Sequence, residues 1–244
     1  MVINLIGHRG DASRYTENTI GAFLSAKKCN LYGIELDIQI TRDRKIVVYH
    51  DSSAERLLRL KGTISDYDYG EIENITIGKN GERVPLLENV LDIQDNVKLF
   101  IELKTRDEDG FRINEGLEKE LNRLLQKRDI SELILISFDV VAIREMKEMN
   151  INYKTGLDIA PEMKIMLDSM LKSRVPSFIN FILPDYKLLF EEKYLNFTKT
   201  FQNVIPWSIK NINEIKKLRE LEIDTFICDN PCSISRDLAK SKIL

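Results

Sequence analysis

Gly33-Ile34-Glu35-Leu36-Asp37-Ile38-Gln39-Ile40 decides the fold. Set as a β-strand, it turns the side chains of residues i and i+2 to one face. Glu35 and Asp37 therefore project together from a run flanked by Ile34, Leu36 and Ile38. The spacing recurs in Ile101-Glu102-Leu103-Lys104, where Glu102 and Lys104 share a face. Acids that point into a protein interior are costly unless they are paired or metal-bound.

Working outward from that strand, short apolar runs alternate with amphipathic stretches. Strands are predicted over 2–7, 33–40, 98–103, 133–137, 152–157, 178–183, 201–207 and 225–229. Helices are predicted over 115–127, 140–149, 161–172, 187–195 and 212–221. Asn211, three residues before Glu214, reads as a helix cap, and Pro231 opens a helix after Asp229-Asn230. Eight β-then-α units in 244 residues predict an α/β fold, a (β/α)8 TIM barrel forming one domain over 1–244. A doubly wound open sheet would place a Gly-rich phosphate turn after its first strand, and Gly7-His8-Arg9-Gly10 is not that turn. Residues 52–96 break the rhythm. They are predicted to be a small insertion after the second strand region, packed over the barrel mouth, with Asn80-Gly81 as a hairpin turn.

A hydrophobic content of 43% supports a sizeable core, and a net charge of −3 argues against a nucleic-acid-binding surface. Three cysteines, an odd count in a long chain, predict reduced thiols and no disulfide framework. Cys228 and Cys232 have no histidine near them, which argues against zinc. The first six residues lack a basic start and read as a strand, not a signal segment. No apolar run approaches the ~18 residues of a membrane span. The expected location is the cytoplasm.

Only two histidines occur, and both follow apolar runs: His8 in Gly7-His8-Arg9-Gly10 and His50 in Val47-Val48-Tyr49-His50-Asp51. In a barrel, catalytic groups gather at strand C-termini and the loops that follow. His8, Arg9, Glu35, Asp37, His50, Glu102 and Lys104 are thereby predicted to converge at one end of consecutive strands. Three converging carboxylates repel unless a cation sits among them, and oxygen ligands suit one divalent cation, Mg²⁺ or Ca²⁺. Arg9 and Lys104 beside such an ion make a site for an anion, most simply phosphate. Two histidines flanking it could give and take protons as a phosphoester breaks.

With these motifs in place, the chain resembles the glycerophosphodiester phosphodiesterases. Gly7-His8-Arg9-Gly10, Glu17-Asn18-Thr19 with Ala22-Phe23, Gly33-Ile34-Glu35-Leu36-Asp37 and Thr41-Arg42-Asp43 run in that family's order. Val47-Val48-Tyr49-His50-Asp51, Val84-Pro85-Leu86-Leu87, Ile101-Glu102-Leu103-Lys104, Ser137-Phe138, Trp207 and Cys228-Asp229-Asn230-Pro231 follow. The first half of the match is the more specific. Thr16 stands where the family usually has proline, and Asp43-Arg44 where it usually has Asp-Gly.

The resemblance implies a metal-dependent barrel hydrolase of lipid and glycerol metabolism. Its substrate would be a small-molecule glycerophosphodiester, split to glycerol 3-phosphate and an alcohol, with a cyclic phosphate on the route. It implies Glu35, Asp37 and Glu102 as metal ligands and His8 and His50 as the acid–base pair. Arg9 and Lys104 would bind phosphate, Trp207 would lie against the glycerol, and Glu17 would be a supporting polar residue near the mouth. Two rivals stand beside this reading. One is a lysophospholipid phosphodiesterase, which should carry an apolar rim. The other is a non-catalytic binding barrel, which should have lost at least one of the costly charged groups. The sequence leaves the oligomeric state open.

Overall fold

The computed structural model describes residues 2–171 and 176–240. Strands β1 (Asn4–Gly7), β2 (Gly33–Ile40), β3 (Ile46–Val48), β4 (Lys98–Leu103), β5 (Leu133–Ser137), β6 (Lys154–Ile159), β7 (Phe181–Pro184) and β8 (Thr225–Cys228) form one sheet. Its order is β7-β6-β5-β4-β2-β1-β8, all parallel, with β3 paired antiparallel to β2 outside that path. Parallel bridges at Ile182–Val204, Asp185–Trp207 and Ile209–Cys228 carry the ring from β7 across residues 204–209 to β8. The staves therefore close into the predicted (β/α)8 barrel. The seventh of them, predicted over 201–207, is held by single bridges and not by a continuous ladder.

Two apolar layers separate at the sheet. Ile6, Phe100, Ile134, Ile136, Leu183, Ile205 and Ile227 fill the barrel interior. Leu5, Ile34, Leu36, Ile38, Leu99 and Ile101 belong to the larger layer beneath the helices. Alternation along β2 and β4 thus sends the aliphatic residues outward. Glu35, Asp37 and Glu102 are left on the inner face.

The helices α1 (Ile20–Lys28), α2 (Glu55–Leu58), α3 (Tyr69–Ile72) and α4 (Leu87–Asp92) precede β4. After it come α5 (Leu117–Leu125), α6 (Val140–Met149), α7 (Lys164–Leu171), α8 (Glu192–Thr198), α9 (Ile212–Arg219) and α10 (Pro231–Lys240). Side-chain caps start several of them. Thr19 accepts from the Ala22 amide, Asp139 from Val141, and Asn211 from Asn213 and Glu214. The stretch predicted as one helix over 161–172 begins as a 3-10 turn, Pro161–Met163, before α7, and Lys172 lies outside the described residues. That over 187–195 divides into a 3-10 turn, Tyr186–Phe190, and α8.

Within residues 52–96, Ala54, Leu58, Ile64, Ile72 and Ile77 make a satellite core with Val47, Tyr49 and Val84. Leu87, Val90 and Leu91 of α4 instead join the main layer, where α4 meets α1. The Asn80-Gly81 turn is closed by the Ile77–Glu82 bridge, with Gly81 at φ +75°. Thr16 anchors this segment, its amide and hydroxyl donating to Glu82 at 3.1 and 3.0 Å. A proline there could not supply the amide. Arg44 adopts φ +67°, a left-handed conformation suited to glycine, and its guanidinium donates to the Glu115 carbonyl at 2.6 Å.

The cysteine expectation is corrected. Cys29, at the end of α1, and Cys232, in α10, are joined by a disulfide with Cα atoms 5.4 Å apart. They are 203 residues apart in sequence. Pairing of β1 with β8 places the helices that follow those strands side by side, a proximity no local spacing encodes. Cys228 stays free and buried. Among the described residues no helix is long and apolar enough to cross a membrane.

Candidate active site

The turn after β1 sets the first group of side chains. Arg9 and Gly10 take φ +55° and +84°. A Cβ on Gly10 would fall 2.8 Å from the backbone of Ala22, so only glycine fits where this turn crosses α1. The bend aims the Arg9 amide at Glu35, to which it donates at 2.9 Å. His8 Nδ1 lies 2.7 Å from Asp229 Oδ1, just beyond the adjacent strand β8. An ionised carboxylate can only accept, so Nδ1 carries the hydrogen and Nε2 faces Glu35 at 3.9 Å. Burial alone would raise the Asp229 carboxyl. The hydrogen bond and charge of His8, with help from Ser208 and Lys210, hold it below the ordinary range.

Glu35, Asp37 and Glu102 converge on the barrel axis at its C-terminal end. One oxygen from each lies within 4.8 Å of the others, and all three side chains are buried. Their electrostatics are opposed. Burial and the charges of Asp37 and Glu102 push Glu35 well above the usual carboxylate range. Burial would do the same to Asp37. Arg9, His50, Lys104 and the Asn18 amide outweigh it and hold Asp37 well below. Burial raises Glu102 despite Lys104, whose ammonium donates to it at 2.9 Å. Lys104 itself is kept charged, as Glu102 and Asp37 outweigh its burial. Asp37 Oδ1 is buried without a hydrogen-bond partner. Three convergent acids, two of them displaced upward by burial and by the charge of their neighbours and one bearing an orphaned oxygen, fit a hard divalent cation.

A chain of ion pairs runs from Arg9 to His50. Arg9 Nη1 meets Glu17 Oε1 at 2.9 Å, and Arg56 Nη2 meets the same oxygen at 2.6 Å. Arg56 also grips Asp51, and Asp51 Oδ1 lies 2.9 Å from His50 Nδ1. Gln39 pins the backbone on both sides of His50 by donating to the carbonyls of Tyr49 and Asp51 at 3.1 and 2.7 Å. Each histidine is thus held at Nδ1 by a carboxylate. Their side chains, 25% and 27% exposed, remain open to exchange protons. Beyond Lys104 the wall turns aromatic. Phe138 lies under the ammonium at 5.8 Å and meets Trp207 edge-on at 5.6 Å, while the indole N–H donates to the Leu183 carbonyl at 2.6 Å.

All nine residues singled out from the sequence therefore lie along one connected surface at the barrel mouth. Four more were missed. Asn18 donates to Asp37 at 2.8 Å, and Asp51, Arg56 and Asp229 complete the grip on the histidines. Asp51 and Asp229 were within reach of sequence reasoning. The first adjoins His50, and the second ends the strand predicted over 225–229, at the strand C-termini where barrels gather catalytic groups.

Residues 8–233 match the Glycerophosphoryl diester phosphodiesterase family. The Bacillus subtilis (strain 168) protein YhdW is 30% identical over 241 residues, covering 96% of this chain and 97% of its own. A glycerophosphodiester phosphodiesterase structure from Thermotoga maritima superposes with a TM-score of 0.76 at 27% identity, covering 97% of this chain and 98% of that one. An Oleispira antarctica phosphodiesterase, solved with the product sn-glycerol-3-phosphate, superposes with a TM-score of 0.79 at 19% identity, covering 98% and 97%.

Proposed function

The chain belongs to the glycerophosphoryl diester phosphodiesterase family, and from that premise we propose how its own residues carry out glycerophosphodiester hydrolysis. The observation that carries the reading is the buried triplet Glu35, Asp37 and Glu102, with Arg9 and Lys104 paired to it and a carboxylate-held histidine on either side.

Glu35, Asp37 and Glu102 would hold one divalent cation, Mg²⁺ or Ca²⁺. That ion supplies, when bound, positive charge against the phosphodiester oxygens. Arg9 and Lys104 bind the phosphate and fix its orientation. One histidine takes the proton of the glycerol 2-hydroxyl as its oxygen bonds to phosphorus. The other gives a proton to the leaving alcohol oxygen as its bond to phosphorus breaks. Water then opens the cyclic phosphate with the two roles reversed, giving glycerol 3-phosphate. Glu17 holds Arg9 and Arg56 and acts through them, and Trp207 lies against the glycerol carbons.

The reading is tested by release of glycerol 3-phosphate from glycerophosphocholine. Activity is expected in Mg²⁺ or Ca²⁺, lost in EDTA and restored when the ion is returned. Turnover unaffected by EDTA in metal-stripped buffer would remove the cation from the mechanism.

Asp229→Asn is expected to lower kcat by about 10²-fold or more, as for a disabled proton-transfer group. The amide can donate to Nδ1 and stabilise the wrong tautomer. One limb of the pH–rate profile should move while KM stays within a few-fold. A parallel loss of folding, with an unmoved pH profile in the residual activity, would make Asp229 merely structural.

A further inference from the structure

The mechanism leaves one buried acid unused. Asp158 lies on β6, where Leu157 and Ile159 face outward into the apolar layer under the helices. Alternation turns Gly156 and Asp158 into the barrel. At Gly156 the interior is already full, since a Cβ there would meet Leu183 Cδ1 at 2.7 Å and Ile136 Cγ2 at 3.1 Å. Asp158 sits one step nearer the mouth. It is 3% exposed, and its Oδ2 is buried with no hydrogen-bond partner. It is near enough to feel the charges of Glu102, Lys104 and Asp37. It is not part of the converging carboxylate triplet, so the cation does not account for it. A buried polar group without a partner in the free protein is one that a ligand can satisfy.

Its neighbours indicate which ligand. Phe138 follows β5, the stave beside β6, and Trp207 lies on the stave beyond β7. Asp158 therefore lies on a stave between those that carry Phe138 and Trp207, whose rings meet edge-on, on the wall across from β2, where the phosphate-binding groups are. An aromatic wall with a carboxyl on a neighbouring stave suits a small polyol, whose carbons pack on the rings while a hydroxyl donates to the acid. A cationic head group is disfavoured here because the Lys104 ammonium already lies over Phe138 and bears on Asp158.

We propose that Asp158 is the glycerol-selecting residue of this site. Its carboxyl accepts the hydrogen bond of the terminal glycerol hydroxyl, the one not used for attack. It thereby favours diesters whose 1-hydroxyl is free over 1-acyl lysophospholipids. This rests on the phosphodiesterase reading above.

The test compares glycerophosphocholine with 2-hydroxyethyl phosphocholine, which keeps the attacking hydroxyl and the leaving group but lacks the terminal hydroxymethyl. The wild-type protein is expected to prefer the glycerol diester in kcat/KM by about 10²-fold or more, because the analogue leaves a buried acceptor unpaired. Asp158→Leu should bring that ratio to within about threefold by lowering only the glycerol diester. Asp158→Asn, which keeps an acceptor, should retain most of the preference. A wild-type ratio near unity, a parallel fall on both substrates, or faster turnover of lysophosphatidylcholine would overturn the assignment. The wild-type ratio decides even if the leucine variant fails to fold. Hydrolysis of neither diester by the wild-type protein would instead overturn the phosphodiesterase reading itself.

Discussion

His50→Ala and His8→Ala are each expected to lower kcat on glycerophosphocholine by about 10²–10⁴-fold, the usual worth of a positioned acid or base. KM should change little, because phosphate binding is left to Arg9 and Lys104. Two groups that must be in opposite protonation states give a bell-shaped pH–rate profile, and each substitution should erase one limb. The double variant should be scarcely slower than the worse single one, because residues acting as a unit are not additive. Steady-state kinetics from acid to alkaline pH checks all of this, with circular dichroism as the control for folding. A rate indifferent to either histidine would sink the acid–base assignment.

Glu35→Gln is expected to have two effects of opposite sign. Activity and cation binding should be lost together, measurable by titration calorimetry with Mg²⁺ or Ca²⁺. The metal-free protein should become more stable, because one of three mutually repelling buried acids is gone. The pH dependence has a definite direction. Burial and the neighbouring acids raise the folded-state pKa of Glu35, so between the unfolded and folded values the native state binds more protons than the unfolded one. Stability of the metal-free wild type therefore falls as pH rises through that window. The slope should be shallower in Glu35→Gln. Saturating the wild type at about 100 times Kd should add about 2.7 kcal/mol, a rise in Tm of roughly 5–10 °C for a chain of this size. The variant should show no such rise. A cation-dependent Tm shift retained in Glu35→Gln would show that this carboxylate is not a ligand.

Much of the site was legible because it lies on strands. Period-two alternation puts Glu35 and Asp37 on the face opposite Ile34 and Leu36 whatever surrounds them, and the same holds for Glu102 and Lys104. What escaped depends on which stave stands beside which. Asp229 matters only because β8 closes against β1, and Asp158 only because β6 stands across the ring from β2. In sequence both look like ordinary acids near strand ends. Arg56 comes from a segment with no clean periodicity, so nothing local marks it as the link between Glu17 and Asp51. The Cys29–Cys232 bond was missed for the same reason as Asp229, since a parity argument over three thiols knows nothing of barrel closure.

The pairing of His8 with Asp229 spans 221 positions of the chain. During synthesis the carboxylate that fixes the tautomer of His8 is added 221 residues after the histidine itself. A chain that stops before Asp229 can carry Glu35, Asp37, Glu102 and both histidines and still lack the partner that orients His8. Competence to break phosphodiesters is thus expected only once Asp229 has been added, and fragments that stop short of it should be catalytically silent.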